Sequence, residues 1–153
     1  MTAILHSQGR RIAGVSARAI LGLLFIAMGL HKALDPADFL KAVHDYGWLD
    51  RSVSLTWVAA LLPWFEVVCG GLLLIGLRIR GTAFLVFGML ALFSGLVLQR
   101  ALHLHQTTGV PFCGIRFDCG CGNGEVLVCR KLMENTLLMG LSVAAYVWRR
   151  PLS

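Results

Sequence analysis

The sequence predicts an all-α, polytopic membrane protein: a four-transmembrane-helix bundle with a Cys/Gly-rich periplasmic loop. Three observations predict it. The 153 residues are 57% apolar and 14% charged, against about 45–50% and about 25% in an ordinary soluble domain. Four segments, at about 12–33, 55–77, 81–102 and 127–148, offer the roughly 20 apolar residues that a crossing needs. Arginines recur on one side of those segments: Arg10 and Arg11 before the first, Arg78 and Arg80 between the second and third, Arg149 and Arg150 after the fourth. The positive-inside rule makes that side the cytoplasm. The expectation is a single domain, 1–153, in the bacterial inner membrane with both termini cytoplasmic. The net charge of +6 does not point to nucleic acid, because no soluble scaffold is left to present it.

The first segment reads as a retained helix, since a signal peptide's apolar run is about 7–15 residues and Arg18 lies inside it. On it, Arg18, Gly22, Phe25, Gly29 and Lys32 recur at steps of 4, 3, 4 and 3, which places them on one helix face. Between the first and second segments, Pro36 followed by Phe39, Leu40, Val43, Tyr46 and Gly47 fits a short amphipathic helix on the membrane surface; a plain connecting loop fits equally well. Trp48 and Trp57 flank the second segment at interfacial positions.

On the second segment Pro63, Glu66, Gly70 and Leu73 share a face. Glu66 lies about 16 Å below the outer end and Arg18 about 9 Å above the inner end, at 1.5 Å per residue. An Arg18–Glu66 pair fixing helix register is therefore expected, with a proton relay or a polar anchor for a cofactor headgroup as the functional alternative. Cys69 reads as a small apolar filler. Only Arg78, Ile79 and Arg80 separate the second and third segments, which must be antiparallel neighbours. Gly81, Gly88 and Gly95 form a stripe suited to close helix packing. Arg130, Glu134 and Asn135 form a polar group at the mouth of the fourth.

Between the last two segments lie His103, His105, Cys113, Cys119, Cys121 and Cys129, with glycines among them. Three chemistries compete. The first is thiol–disulfide exchange: the loop faces an oxidising compartment, Cys119 and Cys121 are one residue apart, and Cys113 with Cys129 supplies a second pair or an electron relay. Arg116, Arg130 and Lys131 would favour thiolates. The second is a pair of structural disulfides. The third is metal binding with His103 and His105, although the spacing is not that of paired C-x-x-C knuckles; no metal ligands are assigned.

The ordered set Arg18, Gly22, Phe25, Gly29, Lys32, Asp35-Pro36, Tyr46, Pro63-x-x-Glu66, Gly70, Cys119-Gly120-Cys121-Gly122, Arg130 and Asn135 resembles the MauE/DoxX family of four-span, redox-associated membrane proteins. The resemblance implies an inner-membrane four-helix bundle. It also implies a link to maturation of the disulfide-rich small subunit of methylamine dehydrogenase or to quinone-coupled and thiol redox systems. The chain departs from the family where Gly122-Asn123-Gly124 follows Cys121 in place of Phe-Gly, and where Cys113 and Cys129 are added.

The function expected is electron exchange between periplasmic thiols and a thioredoxin-like protein or the quinone pool. Cys119 and Cys121 are the exchanging pair and Cys113 with Cys129 the second. Arg18, Lys32, Glu66 and Arg130 would hold the bundle or a quinone headgroup. The rivals are a non-catalytic assembly factor that binds a client enzyme, and a small metal or solute carrier.

Overall fold

The computed structural model of the chain describes residues 2–45, 53–118 and 124–148. Five helices carry most of it: α1 Thr2–Leu34, α2 Pro36–Asp45, α3 Val53–Ile75, α4 Ile79–Thr108 and α5 Val128–Val147. Three of them contain stretches long and apolar enough to cross a membrane, Ile12–Leu34, Thr56–Ile75 and Ile79–Thr108. The protein is thus a multi-pass membrane protein. The fourth crossing expected at 127–148 is not among the three. Helix α5 is long enough, about 30 Å for its 20 residues, but Arg130, Lys131 and Glu134 sit in its first two turns.

The α1–α3 interface is the most extensive in the bundle, and α4 packs chiefly on α5. Absent side chains explain the first. A Cβ added at Gly22 would lie 2.8 Å from the carbonyl oxygen of Gly70, one at Gly70 would lie 2.6 Å from that of Gly22, and one at Gly29 would lie 2.5 Å from that of Pro63. The two backbones touch, in antiparallel register, along the faces expected from the sequence. Between them and the other helices Leu21, Phe25, Cys69, Leu73, Val86, Leu90 and Ala145 form the buried apolar core. Cys69 is a free thiol inside it, in the filler position expected.

The glycine stripe of α4 is a correction. Gly81, Gly88 and Gly95 are exposed, and a Cβ at any of them would meet nothing within 4 Å. Their spacing does put them on one face, but that face looks outward, while Val86, Leu90 and Val97 face the bundle.

Local signals set the ends. Asp35 caps α2, its Oδ1 accepting the Asp38 N–H at 3.1 Å, and Pro36 occupies the first helical position, where its missing N–H costs nothing. The segment after α1 is therefore a helix, and its Phe39 is buried against the bundle; Tyr46, Gly47 and Trp48 lie outside the described residues. Helix α3 stops at Gly76, which takes the left-handed conformation (φ 81°), and the N–H groups of Gly76 and Leu77 both donate to the Leu72 carbonyl. Gly109 (φ 68°) stops α4 in the same way.

The all-α expectation fails in one place. A 3-10 turn, Phe112–Gly114, and two strands, β1 Arg116–Asp118 and β2 Glu125–Leu127, fill the α4–α5 connection. The strands pair antiparallel with Phe117 opposite Val126 and Asp118 opposite Glu125. Alternation explains them: Ile115, Phe117 and Val128 point inward and pack with Ala101 and Leu132 in a small second core, while Arg116 faces out. The Val128 N–H donates to the Ile115 carbonyl at 3.1 Å and locks the hairpin onto the first turn of α5.

Candidate functional site

The bundle has two unlike ends. Arg78 and Arg80 lie at the α3–α4 turn; α2, the hairpin and the start of α5 lie at the other, the cysteine end. Toward the cysteine end Lys32 of α1 donates to Glu66 Oε1 of α3 at 2.6 Å, both side chains buried. The Lys32 ammonium also lies 5.2 Å from the centre of the Phe39 ring and 5.9 Å from that of Phe93, distances at which aromatic faces attract a cation. Three helices and the capping α2 thus converge on one charge pair. Lys131 of α5 is buried too and acts electrostatically on Glu66. Glu66 Oε2 has no hydrogen-bond partner among the described residues.

This corrects the expected Arg18–Glu66 pair. Helical Cβ atoms tilt toward the N-terminus. With Gly22 against Gly70 and Gly29 against Pro63, the α1 residue level with Glu66 is Ile26, so Arg18 lies about 12 Å below it and Lys32 about 9 Å above it at 1.5 Å per residue. In antiparallel helices the tilt carries Lys32 and Glu66 toward each other. It carries Arg18 away, to the α3–α4 turn. Depth alone, without side-chain direction, selected the wrong cation.

Cys113 and Cys129 form a disulfide, Cα–Cα 5.0 Å, that ties the 3-10 turn to the first turn of α5 across 16 residues of sequence. Cys119 and Cys121, between the two strands in sequence, fall outside the described residues. Cross-linking a loop of about 15 residues removes unfolded-chain entropy equivalent to about 3 kcal/mol. Cys113→Ser with Cys129→Ser is therefore expected to lower the thermal midpoint in detergent. A reductant should lower the midpoint of the wild type and leave the double variant unchanged; an equal response of both would place the stabilisation elsewhere.

The remaining candidates separate. Arg130 is exposed and pairs with Glu134 of its own helix at 2.9 Å, the kind of surface pair worth about 0.3–0.5 kcal/mol. Arg18, Lys32, Glu66 and Arg130 therefore do not converge on one place. Asn135 is buried and donates to Ser94 Oγ at 3.1 Å, and Ser142 Oγ donates to the Ala83 carbonyl at 2.7 Å, both joining α5 to α4. Lys131, Asn135 and Ser142 share the buried face of α5, a polar stripe legible in their spacing of 4 and 7 and missed there. His105 contacts the Val110 carbonyl at 2.7 Å, His103 is exposed, and the described residues contain no group of three metal-ligating side chains.

A family model described as methylamine utilisation protein MauE matches residues 10–149, nearly the whole chain and both halves of the site. The chain belongs to the MauE family. It is a methylamine-utilisation-associated membrane protein, as the resemblance implied. The match takes in the Lys32–Glu66 pair and the Cys113–Cys129 disulfide alike, so both lie within the MauE domain. No curated protein and no solved structure matches the chain.

Proposed function

We propose that this MauE-family chain is an inner-membrane thiol–disulfide exchange protein that draws electrons from periplasmic thiols, in support of the maturation of a disulfide-rich enzyme such as methylamine dehydrogenase. In this reading α5 is the fourth span, both termini are cytoplasmic, and the cysteine end is periplasmic. One observation carries it: the Cys113–Cys129 disulfide stands at the base of the hairpin whose connection bears Cys119 and Cys121, at the end opposite Arg78 and Arg80.

A Cys119–Cys121 disulfide would accept two electrons from a client dithiol. A client thiolate attacks one sulfur and releases the other as thiolate; the second client thiol then resolves the mixed disulfide, leaving the client oxidised and Cys119 and Cys121 reduced. A thioredoxin-like disulfide, by the same two displacements, would take the electrons on. The quinone pool is the alternative acceptor of those electrons. Cys113 and Cys129 serve as the second pair, holding the hairpin on α5 and able to exchange with the first.

The test is exchange with a purified thioredoxin-like partner, followed by thiol trapping. Wild type is expected to exchange; Cys119→Ser and Cys121→Ser are expected to abolish it. Should those variants still support client maturation in cells, the non-catalytic assembly factor is the better reading. A membrane-impermeant thiol probe that labels the reduced loop only in opened cells would overturn the proposed sidedness.

A further inference from the structure

We propose that Arg18 is the receptor for a phosphate anion at the arginine end of the bundle, carried by an anionic lipid headgroup or free in solution. Arg18 is 3% exposed, and its Nε and Nη1 meet no hydrogen-bond acceptor among the described residues. Its guanidinium lies against Gly76, in the turn between α3 and α4, where an added Cβ would fall 3.2 Å from Nη1 and 3.7 Å from Cζ. A guanidinium keeps its charge in proteins and presents its donors in a planar fork that matches phosphate oxygens. Left buried without a counter-charge, it is strongly unfavourable.

Among the described residues no acidic side chain is offered to it. Of eight acidic residues, Glu66 is bound to Lys32 and Glu134 to Arg130. Asp35 and Asp38 fall between α1 and α3, and Asp118 and Glu125 between α4 and α5, both connections at the cysteine end; Asp45 and Asp50 follow Asp38 in the sequence before α3. The sequence at the arginine end instead adds Arg10, Arg11, Arg78, Arg80, Arg149 and Arg150. The C-terminus of α3 contributes only a partial negative charge, about half an elementary charge, and none of its carbonyls accepts from Nε or Nη1. Among the described residues nothing supplies the counter-charge, and we place it outside the chain. The Gly76 turn joins the ends of two apolar spans, Thr56–Ile75 and Ile79–Thr108, the level at which lipid phosphates stand. The site needs only the membrane embedding and is independent of the thiol chemistry.

The test takes the full chain in a maltoside detergent and phosphate-free buffer, and follows the thermal midpoint and retained lipid by native mass spectrometry. Phosphatidylglycerol is expected to raise the midpoint and to remain as a discrete adduct; phosphatidylcholine, whose choline cancels the headgroup charge, is expected to do neither. Arg18→Gln should weaken the response about tenfold or more, Arg18→Lys less, and Arg116→Gln at the opposite end not at all. An Arg18-dependent rise with sodium phosphate alone assigns the site to a free anion, and a rise with phosphatidylglycerol alone assigns it to lipid. The proposal is overturned if wild type responds to neither, if phosphatidylcholine acts as well as phosphatidylglycerol, or if Arg18→Gln behaves as wild type. The lipid comparison on wild type and Arg18→Lys decides the matter even where Arg18→Gln does not fold.

Discussion

Glu66→Ala is expected to destabilise the bundle by about 3–5 kcal/mol, the usual penalty for removing one partner of a buried ion pair. The mechanism is the ammonium left behind. Lys32 lies among α1, α2, α3 and α4 with Glu66 as its hydrogen-bonded counter-ion, and two aromatic rings at 5.2 and 5.9 Å supply about 2 kcal/mol of attraction each, less than a counter-ion does. The reverse variant, Lys32→Met, strands the carboxylate and should be comparably harmful. Removing both charges, as Lys32→Met with Glu66→Leu, is expected to recover part of the loss: apolar replacements of a buried pair are often neutral or stabilising by about 1–4 kcal/mol, while the buried Lys131 still loses its attraction to Glu66. Thermal midpoints of wild type, Lys32→Met, Glu66→Leu and the double variant give the coupling directly. Exchange activity in the double variant is expected to persist. A stable double variant without activity would move the pair from scaffold to chemistry.

Gly29→Leu should abolish the folded bundle, and Gly29→Ala should cost about 1–3 kcal/mol, the range for overpacking a well-filled interior. Even the alanine Cβ would lie 2.5 Å from the Pro63 carbonyl oxygen and 2.9 Å from Val67 Cγ2. Backbone cannot rotate out of the way as a side chain can, so α1 and α3 must separate. Separation would also stretch the 2.6 Å Lys32–Glu66 contact one turn away. Gly88→Leu supplies the internal control: its Cβ meets nothing within 4 Å, and it is expected to fold with a near-unchanged midpoint. Purified yield and midpoint in detergent distinguish the two. Equal damage from both would mean that the open face of α4 is occupied in the membrane.

The α1 and α3 faces were readable because small residues and charges recur at helical steps, and a period survives whatever the tertiary packing. Which residues meet across those faces was less so. Arg18 and Lys32 are both cations on the Glu66-facing stripe, and only the register set by the Gly22–Gly70 and Gly29–Pro63 contacts, with the tilt of Cβ atoms, chooses between them. The α4 glycines show the same gap from the other side: spacing says that residues share a face, never what stands opposite. The hairpin is hidden in the sequence by its brevity, three residues a strand, inside a stretch rich in glycine and cysteine. Lys131 reads in the sequence, with Arg116 and Arg130, as a cation beside the cysteines, yet it is buried and Arg130 reaches outward; a one-residue step on a helix turns a side chain about 100°, enough to separate solvent from interior.

Among the described residues the acidic side chains are segregated from the arginine end, which makes the molecule an electrical arrow as well as a helix bundle. A membrane voltage acts on each elementary charge with about 2.3 kcal/mol per 100 mV. In the proposed orientation, with the arginine end toward a negative interior, the field resists inversion, since turning over would drag arginines outward and carboxylates inward together. Orientation would then be kept by the energised membrane itself, and de-energised cells are where inverted copies would accumulate.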